Sequence, residues 1–283
     1  LQNLAWCAFY SGHAEEAEVR LRQAAATFEA IGDLGGLGWA KGLLAWARFQ
    51  QGHTEEAGEM AEAILEDARG GWDRWGLGMM LVLAGSVRLW TGHTLGAIDR
   101  LEEARALFEG INDVFGRGQS SAVLGRALVL AGRVEEGLAM VGSVASPDGA
   151  PGTDRELMVV IMAGLSATVQ VGDVERSEAL LARAPGLATD DRDGDLIVGD
   201  TERVTALGLH RLQTGDVAGS VAVLSALAAR LLPERDPNLS SALALAHVAD
   251  GSLDAALAEA DAVDAHQRAS CMDRLVAGVA RGL

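Results

Sequence analysis

A glycine recurs at a nearly fixed interval along the chain, and this repeat limits the fold more than any other feature of the sequence. The turn glycines, as we call them, are Gly12, Gly52, Gly92, Gly132, Gly172, Gly215 and Gly251. Their spacings are 40, 40, 40, 40, 43 and 36 residues. A period of this size is typical of a solenoid, in which each unit buries its apolar face only by stacking on the next. The sequence therefore predicts one extended array of units.

Small residues stand at two fixed offsets from each turn glycine. Five residues after it come Ala17, Ala57, Ala97, Gly137, Ser177, Ser220 and Ala256. Seven residues before it come Ala5, Ala45, Gly85, Gly125, Gly208 and Ala244, with Leu165 as the exception. Small side chains at both places allow two antiparallel helices to approach closely. Apolar residues nine and twelve after the turn glycine, such as Leu21 and Ala24, are expected to face the next unit.

This spacing resembles the tetratricopeptide repeat (TPR) superfamily over nearly the whole chain, most clearly from Leu4 to Val144. The usual TPR period is 34 residues, so a period of 40 implies helices longer by a little under one turn. Long repeats of this kind resemble the arrays of MalT-like, LuxR-type and AfsR-type bacterial regulators and some adenylate cyclases. FEAIGD from Phe28 and FEGIND from Phe108 are similar to linkers in those arrays. The resemblance implies an all-α, right-handed TPR-like superhelical solenoid of about seven antiparallel hairpins.

The pattern predicts where the hairpins begin and end. They are expected at residues 1–31, 37–69, 74–109, 115–146, 154–186, 195–232 and 238–265, followed by a last helix to about residue 281. All five prolines fall at or near these junctions, as expected of a residue that breaks helices. We interpret 1–283 as a single repeat domain, regular over 1–146 and less regular over 147–283. Because Leu1 opens the chain in a helical pattern without a methionine, we expect a fragment of a larger protein.

Charge and composition argue against several classes of partner. The formal net charge is −17, and no cluster of lysine and arginine occurs, which disfavours direct nucleic-acid binding. An anionic membrane surface is disfavoured for the same reason. No apolar segment reaches the roughly 18 residues of a membrane-spanning helix. Cys7 and Cys271 lie in apolar segments without metal-ligand spacing, and we interpret them as reduced core thiols of a cytoplasmic protein.

Some polar residues look chemical but have a structural interpretation. His13, His53 and His93 follow turn glycines, and equivalent places in packed hairpins lie about 8 to 10 Å apart, too far to share one zinc ion. The acidic pairs are expected in the first turn of a second helix, where the helix dipole favours negative charge. These pairs are Glu15 and Glu16, Glu55 and Glu56, and Glu135 and Glu136.

The loop 189–194 approaches a calcium-binding pattern, but it lacks the acidic first residue and the closing glutamate. We interpret it as an acidic linker. No phosphate-binding loop, nucleophile elbow or zinc-protease motif occurs in the sequence. The sequence thus predicts neither catalytic residues nor a metal or cofactor site.

The twelve aromatic residues all lie between Trp6 and Phe115. The TPR resemblance implies that the first helix of each hairpin lines a concave groove, with the residues six and two before the turn glycine pointing inward. Trp39 lies one heptad before Trp46 and shares its face. The predicted groove residues are Trp6, Tyr10, Trp39, Trp46, Gln50, Trp90, Arg126 and Leu130. The groove would thus change from aromatic to mixed polar and aliphatic along its length.

Tryptophan at a concave surface commonly anchors a partner, but it is also an ordinary core residue, and the sequence leaves both readings open for these tryptophans. Phe9, Phe28, Phe49 and Phe108 are expected in the core.

The resemblance implies recognition without catalysis. We expect the sensor or interaction region of a multidomain bacterial signalling or transcription regulator, binding a protein or peptide partner or a small-molecule effector. A stand-alone adaptor or self-assembling scaffold, which would form homo-oligomers, is one alternative. An enzyme built on helical repeats is the other, and nothing in the sequence supports it.

Overall fold

The computed structural model describes residues 4, 5, 8, 13–51, 53–68, 73–144, 164–183, 200–231, 236–266 and 269–283, and it contains no strand among them. Residues 164–171 are helical. The helices with both ends in the described ranges are α1 (Ala14–Ile31), α2 (Leu34–Gln50), α3 (Thr54–Ala68), α4 (Arg74–Trp90), α5 (Thr94–Gly110), α6 (Val114–Leu130), α7 (Val134–Val144), α8 (Val174–Arg183), α9 (Asp200–Gln213), α10 (Val217–Arg230), α11 (Pro237–Asp250), α12 (Leu253–Ala265) and α13 (Cys271–Gly282). The predicted all-α class is confirmed, with α2 beginning three residues earlier than expected.

The helices pair as hairpins around the turn glycines, and we number the hairpins in chain order. Hairpins 2, 3, 4, 6 and 7 are α2–α3, α4–α5, α6–α7, α9–α10 and α11–α12, while α1 and α8 are the second helices of hairpins 1 and 5. The turn glycines from Gly92 to Gly251 all have positive φ, between 72° and 86°. Side chains avoid this left-handed region, so glycine ends the first helix at little cost. The five predicted turns whose glycines the structure describes are confirmed, while Gly12 and Gly52 lie outside the described residues.

The small residues lie where the two helices of a hairpin cross, as predicted. A Cβ added to Gly125 in α6 would lie 2.5 Å from Cγ2 of Val141 and 2.9 Å from the carbonyl oxygen of Gly137 in α7. In hairpin 6 the Ser220 hydroxyl donates a hydrogen bond to the carbonyl oxygen of Gly208, at 2.7 Å. All seven residues that follow a turn glycine by five positions are buried. The crossings therefore bring backbone against backbone.

The first helices form one layer and the second helices another. Neighbouring first helices pack directly on each other, α2 on α4, α4 on α6 and α9 on α11, whereas consecutive second helices make no comparable contact within the described ranges. In a curved array the helices that lie closer together are on the inner side. The first helices therefore line the concave face, as the resemblance implied.

The core lies between these layers, and one prediction about it is only partly right. Phe108 is 0% exposed and packs against Gly78 and Gly116, as expected of a core residue. Phe28 and Phe49 are only partly buried, so their expected core positions are wrong in part. Phe28 packs against Gly36. Phe49 lies in the last turn of α2 and packs against the core of hairpins 2–4 while keeping partial exposure.

The acidic pairs occupy the first turns of α1, α3 and α7, as predicted. Arg48 in α2 contacts both flanking second helices, with N···O distances of 3.2 Å to Glu18 and 2.6 Å to Glu56. The hydrogen bond from Arg48 lowers the pKa of Glu56. His13 and His93 are N-cap residues of α1 and α5. These polar residues thus lie at helix starts and in ion pairs between helices, as the structural interpretation predicted.

Cys271 differs from its prediction as a core thiol. It is the first residue of α13 and is exposed, because the residues that α13 buries, Asp273, Ala277 and Ala280, lie on the opposite side of the helix. Pro237 opens α11, which agrees with a hairpin junction. The other four prolines, Cys7 and the loop 189–194 lie outside the described residues. Within those residues, no helix combines the length and apolarity needed to cross a membrane.

Candidate functional site

Three aromatic rings form a continuous row on the inner helices. The Trp46 and Phe49 ring centroids are 6.1 Å apart with an interplanar angle of 84°, and those of Phe49 and Trp90 are 5.9 Å apart at 77°. These edge-to-face contacts each contribute about 0.5–1.5 kcal/mol beyond the burial of area. We call Trp46, Phe49 and Trp90 the aromatic row. It joins the last turns of α2 and α4, and all three side chains keep partial exposure.

Trp46 belongs to both the core and the surface. It packs against the buried clusters of hairpins 1–2 and hairpins 2–4, yet its side chain is only partly buried. Its indole nitrogen is buried and has no hydrogen-bond acceptor among the described residues. Trp39, one heptad earlier, is also partly buried and packs against Leu43 and its neighbours. The sequence left open whether these tryptophans are groove anchors or core residues. Trp39 and Trp46 are each partly both.

The row gives way to a polar cluster farther along the inner layer. Arg126 in α6 donates from Nη1 to Oε1 of Glu202 in α9 at 2.8 Å, and the Ser166 hydroxyl donates to the same oxygen at 3.1 Å. These three residues come from hairpins 4, 5 and 6. The Nε of Arg126 is buried without a hydrogen-bond partner among the described residues. We call this set the groove ion pair.

Glu202 was missed by the sequence analysis, although a signal for it existed. It stands thirteen residues before Gly215, and Trp39 stands thirteen before Gly52. Applying to the sixth hairpin the heptad relation that links Trp39 to Trp46 would have placed Glu202 on the inner face.

The remaining predicted groove residues have different outcomes. Trp6 and Tyr10 lie outside the described residues, as does the side chain of Gln50, whose backbone ends α2. Leu130 ends α6 and packs, partly buried, against the core of hairpins 2–4. The structure therefore brings Trp46 and Trp90 together through Phe49, and it joins Arg126 to Glu202.

The inner face is nearly free of net charge. At the described positions thirteen, six and two before the turn glycines, the charged residues are Arg126 and Glu202, and they pair with each other. Arg48 and Arg88 are also on first helices, but they point to second helices and pair there with Glu56 and Glu62. No group of three or more potential metal ligands occurs in the described part of the chain. The groove thus offers apolar contact and hydrogen bonding rather than charge.

Comparisons with known proteins give the fold a wider context. No protein-family model matches the sequence, and no curated protein matches it. Among solved structures, NprR in complex with its cognate peptide NprX is similar over 99% of this chain and 82% of its own, with 11% identity and a TM-score of 0.65. The apo form of the quorum sensor NprR from B. thuringiensis has 10% identity over 99% and 80% of the two chains and a TM-score of 0.58.

A tetratricopeptide repeat protein from Parabacteroides merdae is similar over 99% of this chain and 96% of its own, with 12% identity and a TM-score of 0.53. These likenesses confirm the expected TPR-like solenoid. The likeness to MalT-like and LuxR-type arrays stays a prediction.

Proposed function

We propose that this chain is an interaction module that binds a peptide, or a peptide-like segment of a partner protein, in its concave groove. The aromatic row on the inner layer carries the proposal, because partly exposed aromatic side chains at a concave surface are the usual anchors of such contacts. The solved NprR complex, which has a similar fold, holds its cognate peptide and supports this choice of ligand class.

The chemistry of the groove indicates what the bound segment resembles. Its apolar or aromatic side chains would pack against Trp90 and Trp46, where burial of area supplies the binding free energy. Because Arg126 and Glu202 already pair with each other, a charged ligand would find no unmatched charge at the described positions. We therefore propose an uncharged, apolar contact segment, and we expect its affinity to change little with salt concentration.

Binding without catalysis is the role that follows. A segment lying along several first helices would fix the angles between hairpins and so bias the curvature of the array. In a multidomain regulator of the cytoplasm, this bias would be passed to an attached module, and the chain would serve as its sensor region. This regulatory setting is part of the proposal, as is the absence of enzymatic activity.

A selected peptide can test the proposal directly. Peptides are selected from a random display library on the immobilised chain, and the best one is titrated calorimetrically against the chain and its variants. Trp90→Ala is expected to weaken binding at least about tenfold, the effect of losing a contact worth about 1.4 kcal/mol or more. Leu95→Ala is the matched control, since Leu95 is exposed on the second helix α5, away from the row.

Two outcomes would contradict the proposal. Selection could yield no peptide that binds the chain, or the selected peptides could bind Trp90→Ala and the unmodified chain equally well. A circular dichroism spectrum of Trp90→Ala checks that a loss of binding does not come from unfolding.

A further inference from the structure

The groove ion pair crosses the inner side of an intervening hairpin. Arg126 belongs to hairpin 4 and Glu202 to hairpin 6, and their side chains meet at 2.8 Å with hairpin 5 between them. Ser166, on the first helix of hairpin 5, donates to the same carboxylate oxygen at 3.1 Å and is only 5% exposed. The second helices lie on the outer side, so the two charged side chains run over the inner surface of hairpin 5. The ion pair is therefore part of the groove wall.

This ion pair leaves one hydrogen-bond donor and one acceptor unused. Oε1 of Glu202 accepts both hydrogen bonds of the cluster, whereas Oε2 accepts none from the described residues. Arg126 donates from Nη1 alone, so its Nη2 has no acceptor among the same residues. The side chains of Arg126 and Glu202 keep 21% and 44% of their surface exposed. A guanidinium has five N–H donors and a carboxylate about four acceptor sites, so the pair is only partly satisfied.

Two further polar atoms of this part of the inner layer are unsatisfied. Nε of Arg126 and the side-chain oxygen of Gln170 are buried, and neither has a hydrogen-bond partner within the described part of the chain. Gln170 follows Ser166 by four residues and so lies one turn along the same helix face. Buried polar groups in folded proteins nearly always have a partner. The polar groups of hairpins 4 to 6 thus exceed their partners, and this part of the groove gains from additional hydrogen bonds.

We propose that the groove ion pair binds an amide group of the bound peptide, with Nη2 of Arg126 donating to the amide oxygen and Oε2 of Glu202 accepting from the amide N–H. This inference rests on the proposed function, because it assigns a second contact to the same bound segment. An amide carries a donor and an acceptor on one uncharged group, which matches the unused acceptor and donor of the pair. Asparagine and glutamine side chains and the peptide backbone all supply this chemistry.

A charged ligand group would suit the pair less well than an amide. A ligand carboxylate attracted by Arg126 would also approach Glu202, and an ammonium attracted by Glu202 would also approach Arg126. Each charge would therefore meet repulsion as well as attraction. An amide has no net charge and avoids this cost. The ion pair thus selects for an amide and against both signs of charge.

The distance to the aromatic row sets the spacing expected in the ligand. Trp90 ends the first helix of hairpin 3, and Ser166 lies under the ion pair in hairpin 5. Two helix spacings separate these hairpins, which is about 16–20 Å. An extended chain covers this distance in about five or six residues. We therefore expect about that number of residues between the apolar side chain on Trp90 and the bound amide.

Calorimetric titration of the whole chain with selected peptides tests this contact. Peptides are selected from a random dodecapeptide display library on the immobilised chain. The best one is compared with versions in which each asparagine or glutamine is replaced by leucine, and with versions that each carry one N-methylated backbone amide. At least one of these changes is expected to weaken binding about tenfold or more. A loss with leucine identifies a side-chain amide as the bound group, and a loss with N-methylation identifies a backbone amide.

Glu202→Gln shows whether this loss comes from the ion pair. The new side-chain oxygen would face the two donors, Arg126 and Ser166, so an NH2 group would replace Oε2 and a donor would stand where the acceptor was. The variant keeps the shape of the side chain and is expected to melt like the unmodified chain. It should bind the best peptide about tenfold less tightly. It should bind the peptide version without the amide as tightly as the unmodified chain does.

Glu136→Gln is the matched control. Glu136 pairs with Arg133 at 2.5 Å in the first turn of α7, away from the layer of first helices, so this substitution should leave the affinity of every peptide unchanged. The proposal is overturned if peptides are selected but neither leucine nor N-methyl substitution weakens them. It is also overturned if those substitutions weaken binding to Glu202→Gln by the same factor as binding to the unmodified chain. In both cases the proposed function stands, whereas both proposals fail if no peptide is selected.

Discussion

The crossing of α6 and α7 provides a sharp test of how the hairpins are held together. A Cβ added to Gly137 would lie 2.9 Å from the backbone nitrogen of Val129 and 2.8 Å from its Cγ2, and closer still to the carbonyl oxygen of Gly125. A side chain could rotate away, but backbone atoms can move only if the two helices separate. Gly137→Ala is therefore expected to destabilise the chain although alanine favours helix.

The size of the effect follows from two opposing contributions. Replacing a helical glycine by alanine stabilises by up to about 1 kcal/mol. Overpacking costs about 1–3 kcal/mol, and contact with backbone places Gly137 at the upper end of that range. The expected net loss is about 2 kcal/mol for Gly137→Ala. Gly142 lies five residues along the same helix, where no atom of the described residues comes within 4 Å of an added Cβ, so Gly142→Ala should gain up to about 1 kcal/mol.

Urea denaturation followed by circular dichroism measures both variants. The two free energies of unfolding should differ by about 2–3 kcal/mol, with opposite signs relative to the unmodified chain and an unchanged dependence on urea. The reasoning is refuted if Gly137→Ala is as stable as the unmodified chain. It is also refuted if the two alanine variants shift the stability in the same direction.

Three further predictions concern the core, a helix cap and the groove. Phe108→Ala should lower the free energy of unfolding by about 3–5 kcal/mol in urea, because its ring is fully buried; a loss below about 1 kcal/mol would contradict that packing. Asp236 caps α11, and burial raises the pKa of its carboxyl. Its contribution to the free energy of unfolding is therefore greatest below the pKa that this carboxyl has in the unfolded chain, and it is lost as the pH rises through the folded-state pKa. Asp236→Asn, which keeps a good cap, should therefore be more stable than the unmodified chain at pH 7, and the difference should vanish as the pH falls below about 4; an equal difference at both pH values would contradict this. For Arg126 and Glu202, whose side chains are 21% and 44% exposed, a double-mutant cycle should give a coupling of about 0.2–1 kcal/mol that decreases with added salt; a salt-independent coupling would show that the pair is not screened by solvent.

The sequence was enough to predict the hairpins because the chemistry that forms them is local. A left-handed turn favours a glycine such as Gly132, and a close helix crossing favours a small residue five positions later. The sequence of each repeat therefore predicts the geometry of its own hairpin. The first turns of the second helices are similarly marked by acidic pairs such as Glu135 and Glu136. These features recur at fixed offsets, and alignment of the repeats against one another makes them visible.

Contacts between hairpins were harder to predict, since they depend on how far each helix extends past its neighbour. Glu202 reaches Arg126 across a whole intervening hairpin, in the part of the chain where the spacing changes to 43 residues. Phe49 was expected in the core, but the position of Trp90 at the end of the next first helix makes it the middle of a row. Cys271 was assigned to the core from the apolar residues around it, although the residues that α13 buries lie on its opposite face.

Equivalent positions in different hairpins are of two kinds: those that pack the helices of a hairpin together and those that face the groove. Seven residues before the turn glycine, hairpins 2, 3 and 4 have the small residues Ala45, Gly85 and Gly125, all buried where the two helices cross, and only hairpin 5 among the described ones has a larger residue there, the buried Leu165. Six residues before it, on the inner face, hairpins 2 and 4 have Trp46 and Arg126, which differ in size, charge and shape. Packing of the hairpins cannot require such different side chains at equivalent places, so the variation is free to serve recognition. A ligand that runs along the groove would therefore meet different chemistry at each hairpin, and its order of residues, more than its composition, would decide how well it binds.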